Sequence, residues 1–239
     1  IYIEKEIKKH PRTLEILSKF RNVRTIAIDR YGEVFNRKNQ NFRIQKKNPC
    51  LILAKKHKGF VLPAPEGFGI GSSKNYYFSH MYNCIYDCSY CFLQGMYSSA
   101  NFVLFVNYED FVLEIKKLIS KKENITFFSG YDCDSLALER ITGFASYILP
   151  IFKEYSNCIL ELRTKSNQIK PLDKIQIKGF VKKISNSKTY KNQELSVEKS
   201  GKLYPKNLKE KKSCLSLLKK GLKKAGLTNR KKDQIAFKN

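Results

Sequence analysis

The stretch FVLFVNYEDFVLEIKKLISKKENITFFSG, residues 102–130, decides the fold class. Phe102 to Val106 is a continuous apolar run, the pattern of a strand buried on both faces. Asn107 stands where a helix cap is wanted, and Phe111, Val112, Ile115, Leu118 and Ile119 recur at helical spacing. Ile125 to Phe128 is a second apolar run, closed by Ser129-Gly130. A strand, a helix and a strand in this order make a β-α-β unit, whose strands run parallel and are joined by a right-handed crossover. Ligands of such sheets bind at the carboxyl ends of the strands. Ser129-Gly130 and the residues after it are therefore the first place to look for a site.

The alternation continues on both sides. Downstream, Leu136 to Phe152 has a helical pattern and Cys158 to Leu162 reads as another strand. Upstream, Tyr76 to His80 is aromatic strand material, preceded by a loop from Pro63 to Lys74 that carries Pro63, Pro65, Gly67, Gly69 and Gly71. Residues 1–62 read as a small α/β module. Pro11 opens a helix through Leu17 and Phe20, Val23 to Ile28 and Leu51 to Ala54 are strands, and Asn36 to Asn41 is a basic turn. The predicted division is 1–62, an N-terminal α/β module; 63–167, an alternating α/β region that carries the cysteine loop and shows no internal repeat; and 168–239, a basic Lys-rich tail in which only Ser213 to Leu222 looks amphipathic.

The 239 residues include 46 Lys+Arg against 21 Asp+Glu, a net charge of +25, with 42 % hydrophobic residues and no Trp. That composition is globular and excludes a disordered or collagen-like chain. From Gln168 onward there are 21 basic and 5 acidic residues, a field that attracts polyanions, nucleic acid first. A solvated lysine-rich tail is the competing reading. No run approaches the length of a membrane-spanning helix, so no membrane partner is expected. Ile1 to Lys9 lacks the apolar core of a signal peptide, which points to the cytosol. In that compartment clustered cysteines indicate metal or catalysis rather than disulfides.

Cys84-Ile-Tyr-Asp-Cys88-Ser-Tyr-Cys91 is such a cluster. Three thiolates in one tight loop suit three irons of a [4Fe–4S] cluster and leave the fourth iron open to a small molecule. Zinc competes as a reading, with His80 as the nearest fourth ligand, although structural zinc favours a two-plus-two spacing. Gly67 to Lys74 fits neither nucleotide-binding glycine motif. Cys50, Cys158 and Cys214 show no ligand spacing. Arg37, Arg43, Lys46 and Lys47, interleaved with Phe42, are candidates for nucleic-acid phosphates and base stacking or for a plain solvated loop.

The CxxxCxxC with an aromatic neighbour of its third cysteine resembles the radical S-adenosylmethionine superfamily. The flanking residues are similar to the spore photoproduct lyase family: Val34-Phe35-Asn36-Arg37 with Gln40-Asn41-Phe42-Arg43, Asn83 to Gly95, Phe105-Val106-Asn107, and Leu162-Arg163-Thr164-Lys165. The resemblance spans about residues 1–169. It implies an α/β fold, a partial (β/α) barrel of radical-SAM type, incomplete at the C-terminus, with the small N-terminal α/β module. It also implies a [4Fe–4S] cluster on Cys84, Cys88 and Cys91, bound S-adenosyl-L-methionine, a low-potential electron donor, and UV-damaged DNA repaired through a 5′-deoxyadenosyl radical. On the same ground Ser129 and Gly130 offer backbone groups to the methionine moiety of the cofactor. Asp132 and Asp134 offer carboxylates to its amino group or ribose, or else cap the following helix, and Lys165 matches a lysine that meets the cofactor carboxylate. Lyases of the family draw hydrogen from a cysteine in the segment matching Ser129 to Asp134. Tyr131 falls at that place, with Cys133 two residues on. Of the two tyrosines flanking the third cysteine, Tyr90 is kept and Phe92 lacks the hydroxyl. Two further classes stay open: a nucleic-acid-binding remnant without turnover, and a radical enzyme with another substrate.

Overall fold

A computed structural model of the chain describes residues 1–173, apart from Phe68, Ile70, Gly71, Asp87, Ser89, Tyr90, Lys122 and Ser156. It also describes two short strands further on. In chain order the elements are β1 (Tyr2–Glu4), α1 (Pro11–Ser18), β2 (Ile26–Ile28), α2 (Phe42–Lys47), β3 (Leu51–Ala54), β4 (Leu62–Pro63), β5 (Lys74–Phe78), β6 (Met81–Tyr82), α3 (Leu93–Met96), β7 (Phe102–Phe105), α4 (Tyr108–Ile119), β8 (Ile125–Ser129), α5 (Glu139–Thr142), α6 (Phe144–Lys153), β9 (Cys158–Leu162), α7 (Lys170–Asp173), β10 (Ser196–Val197) and β11 (Leu203–Tyr204). The expected incompleteness at the C-terminus, Cys214 and the amphipathic stretch Ser213 to Leu222 lie outside the described residues.

Two sheets carry the fold. One has the order β2-β1-β3-β7-β6 and the other β4-β5-β8-β9. β1, β2, β3 and β7 are mutually parallel, with Leu51 opposite Phe102. β5, β8 and β9 are parallel as well, with Phe78, Ser129 and Leu162 in line at their carboxyl ends. The chain passes from one sheet to the other between β5 and β6, at Ser79-His80. Phe105 N–H donates to the His80 carbonyl at 3.0 Å there, and Gly130 N–H donates to the Phe78 carbonyl at 3.2 Å.

Alternation along the strands sorts the core. Ile52, Ala54, Val103 and Phe105 face one apolar cluster with Phe111, Ile115, Phe127, Phe144 and Ile148, whereas Leu53 and Leu104 face a second with Ile3, Ile16 and Met81. The expected apolar face of α4 is the buried one. Asn107 precedes α4 but does not cap it with its side chain. Its amide instead clamps the turn after β3, accepting from Lys56 N–H at 2.9 Å and donating to the Lys56 carbonyl at 2.8 Å. The long helix expected over Leu136 to Phe152 is split, because Gly143 adopts a left-handed φ of 61°. The buried carboxylate of Glu139 caps the new start, accepting from Ala145 N–H at 2.9 Å and Ser146 N–H at 2.8 Å. Among the described residues no helix is long and apolar enough to cross a membrane.

His80 sits in this core rather than beside the cysteine loop. Its ring stacks on Phe144 at 4.1 Å, its Nδ1 has no hydrogen-bond partner, and burial pushes its pKa down to about 3. The unfolded chain takes up a proton near pH 6.5 that the fold refuses until about pH 3. Stability is therefore complete above pH 6.5 and falls below it, by about 1.4 kcal/mol per pH unit. Denaturant titrations at pH 7.5 and 5 are expected to differ by roughly 2 kcal/mol, and His80→Gln is expected to remove most of that difference. Equal slopes in the two proteins would show that His80 is not the titrating group.

Candidate functional site

The parallel strands end on one side of the molecule, and the cysteine loop meets them there. Cys84, Cys88 and Cys91 are half-buried thiols in no disulfide. Cys91 N–H closes a turn onto the Cys88 carbonyl at 3.0 Å, and Tyr86 N–H donates to Cys84 Sγ at 3.5 Å. Burial pushes the Cys84 thiol up to about 12, and its thiolate feels Asp134, Cys88 and Cys91 nearby. Ser166 neighbours the Tyr86 hydroxyl and favours its ionised form, so the loop approaches the segment after β9. Among the described residues no three Cys, His, Asp or Glu side chains stand gathered as a metal cage. The donor set nonetheless suits an iron–sulfur group: three thiols lie in one loop, and burial opposes the ionisation of Cys84, which a bound cation would favour.

The segment after β8 forms the facing wall. Ser129 is buried, and Gly130 has φ 79°. A Cβ at Gly130 would lie 2.5 Å from Ser135 Oγ and 2.9 Å from both Cys133 O and Ser135 N, so glycine alone fits. Asp134 ties this segment to the one after β9. It accepts from Leu136 N–H at 2.9 Å, Thr164 Oγ1 at 2.7 Å and Lys165 N–H at 2.5 Å. It caps no described helix, since α5 begins at Glu139 with Leu138 before it and no side-chain cap; its bonds go to the turn at Leu136 and to the segment after β9. Asp132 is half-buried, with its N–H donating to Ser79 Oγ at 3.0 Å. Burial raises its carboxyl pKa, against the pull of Ser79 and the Lys56 ammonium.

The tyrosine and the cysteine proposed for hydrogen return part company here. Tyr131 packs against Tyr77 with ring centroids 4.5 Å apart and planes tilted by 33°, and it reaches Phe92, 5.8 Å away across the cysteine loop. Cys133 is 3 % exposed and packs with Ile3, Met81 and Leu104 in the second apolar cluster. Lys165 is half-buried just past β9. Tyr90 lies outside the described residues. Sequence reasoning missed Lys56 and Tyr82. The Lys56 amine is buried, 3.1 Å from Tyr82 Oη and 4.6 Å from the Phe105 ring centroid. Burial lowers its pKa, and Asp132 pulls it back up. The available signal was its position, two residues beyond the strand Leu51–Ala54.

A β5-β8-β9 parallel sheet with a cysteine loop at its carboxyl edge has known counterparts. A spore photoproduct lyase variant solved with bound AdoMet (S-adenosylmethionine) and dinucleoside spore photoproduct superposes with a TM-score of 0.65 over 81 % of this chain and 58 % of that one, at 17 % identity. The fold is that of spore photoproduct lyase. Spore photoproduct lyase complexed with the dinucleoside spore photoproduct gives a TM-score of 0.61 at 18 % identity over the same shares. This chain thus spans somewhat over half the length of the lyase structures. No protein-family model and no curated protein matches the sequence. The α/β architecture expected from the motifs is borne out by a likeness of fold that sequence identity alone does not reveal.

Proposed function

We propose that the chain is a radical S-adenosylmethionine enzyme of the spore photoproduct lyase type, acting on a UV-damaged thymine pair in DNA. The observation that carries the reading is the meeting of the cysteine loop with the end of β8, through Phe92 against Tyr131 with ring centroids 5.8 Å apart, and its approach to the segment after β9, where Ser166 neighbours Tyr86. The AdoMet and dinucleoside spore photoproduct in structures of the same fold support the choice of cofactor and substrate.

Cys84, Cys88 and Cys91 would hold a [4Fe–4S] cluster, which when bound supplies a single low-potential electron and one open coordination position. The chain's own residues shape the space beside it. Gly130 lets the backbone approach without a side chain, and Asp134 holds the two strand-end segments together. Asp132, set against the Lys56 ammonium, offers a carboxylate to an amino group or ribose hydroxyls, and Lys165 offers a cation to a carboxylate. The neighbouring, mutually tilted rings of Tyr77, Tyr131 and Phe92 give an aromatic surface against which a nucleobase can pack. The Tyr131 ring touches the cysteine loop through Phe92, and we assign hydrogen return to Tyr131 rather than to Cys133, whose thiol packs into an apolar cluster.

The test is anaerobic turnover of dinucleoside spore photoproduct by reconstituted protein, read as thymine recovered and 5′-deoxyadenosine formed. Tyr131→Phe is expected to lower thymine recovery by about 10-fold or more while leaving cofactor cleavage intact, the usual cost of losing a positioned hydrogen donor. Cys133→Ala is expected to reduce stability rather than the product ratio. Loss of recovery in Cys133→Ala alone would reverse the assignment. Cofactor cleavage without any thymine recovery in the unaltered protein would point to another substrate.

A further inference from the structure

One face of the β4-β5-β8-β9 sheet is core, where Tyr76, Phe127 and Leu160 turn to the first apolar cluster. By alternation Tyr77, Phe128 and Glu161 point the other way, and the register sets them side by side in one row, with Leu62 beyond Tyr77. Leu62 and Ile159 are exposed on that face. Phe128 is buried and yet belongs to neither apolar cluster. Arg163 covers it, with the guanidinium carbon 5.1 Å from the ring centroid. The guanidinium is held a second time, because its Nε donates at 2.6 Å to the buried Glu161 carboxylate. Among the described residues neither Nη group has a hydrogen-bond partner, and the Arg163 side chain is 36 % exposed.

A guanidinium fixed by a buried carboxylate and an aromatic ring, with its outer N–H donors left over, is a receptor for oxygen acceptors. Its neighbour in the row is Tyr77, whose ring packs against Tyr131 beside the cysteine loop. A planar ring resting on those two tyrosines therefore turns an edge toward Arg163. We infer that Arg163 binds a carbonyl oxygen of the pyrimidine packed against Tyr77 and Tyr131, and that Glu161 is the positioning residue that aims it. The inference rests on the thymine-pair reading proposed above and gives that reading a specificity contact. The phosphate that bridges two nucleosides offers the same acceptor chemistry. The base is favoured because Arg163 covers a ring of the aromatic row itself, at the level where a base would lie.

The test is calorimetric titration of the full chain, before and after cluster reconstitution, with two ligands. One is dinucleoside spore photoproduct; the other is the dinucleotide that keeps the bridging phosphate. Arg163→Lys retains the charge but not the planar fork, and it is expected to weaken both ligands at least ~10-fold. Glu161→Gln/Arg163→Gln removes the ion pair without leaving one charge buried alone, and it should weaken both to a similar degree, with circular dichroism showing that the variants fold. In turnover, KM for the photoproduct should rise by the same factor as the loss of binding. A loss confined to the dinucleotide would overturn the proposal and assign Arg163 to the phosphate. Binding of both ligands unchanged in the two variants would overturn it as well, while the thymine-pair reading stands. Binding that depends on Arg163 without any thymine recovery would keep the site and remove the proposed reaction. No binding of either ligand to the unaltered protein would overturn both.

Discussion

Replacing any one of Cys84, Cys88 or Cys91 by alanine is expected to abolish iron retention and S-adenosylmethionine cleavage together, each by more than ~100-fold, since even outer partners of a metal site cost 10- to 100-fold. Each thiol would supply one iron ligand, and the loop has no fourth cysteine to take the place of a lost one. His80, the nearest imidazole upstream, cannot substitute, because its ring lies in the core on Phe144. Cys50→Ala and Cys158→Ala serve as controls. Cys158 is buried in β9, away from the loop in the sheet register, and its loss should alter stability without altering iron content. The measurement is iron and sulfide per chain, with far-ultraviolet circular dichroism to show that the variants fold. Cleavage that persists in all three variants would remove the cluster reading altogether.

Gly130→Ala is expected to cost the fold roughly 3 kcal/mol or more and to lower the melting temperature by about 6–12 °C. Two penalties add at this position. The φ of 79° strains any side chain, and the new Cβ would meet the backbone atoms Cys133 O and Ser135 N at 2.9 Å. Neither atom yields cheaply, since Ser135 N–H donates to the Arg163 carbonyl at 2.9 Å and so binds the segment to the end of β9. Gly143 provides the comparison. Its φ is 61°, but a Cβ there meets nothing within 4 Å. Gly143→Ala should therefore pay the conformational strain alone, about 1 kcal/mol. Equal losses in the two variants would show that the close approach at Gly130 is not what demands glycine.

The elements legible in the sequence were those with a strong local period. β7, β8, β9 and α4 lie within a residue or two of where apolar runs and helical spacing put them, because a buried strand or an amphipathic helix writes its environment into its own side chains. β1 was not legible. Its three residues Tyr2–Glu4 lie in a segment where charges mix with single aliphatics, and the strand exists because β2 and β3 pair with it on both sides. The extent of β2 was overestimated for the same reason: pairing with β1 covers Ile26–Ile28, and residues 23–25 have no partner strand. Gly143 within the helical stretch carried no periodic signal against continuation, and its left-handed backbone together with the capping by Glu139 sets the break.

At the candidate site, the three cysteines and the strand end Ser129-Gly130 could be read as candidates from local spacing, and Tyr131 to Asp134 from the family resemblance. Their neighbours could not. Lys56 meets Asp132 across 76 positions of chain, Tyr131 meets Phe92 across 39, and Arg43 shares a groove with Cys84 across 41. By itself the sequence determined an alternating α/β chain with a thiol loop between its strands, because those properties follow from short-range periodicity and ligand spacing. The tertiary structure alone decided that Cys133 packs into an apolar cluster while Tyr131 joins the aromatic row beside the cysteine loop. Successive residues after a strand end face different environments, and which one reaches a site depends on the sheets and loops packed around it.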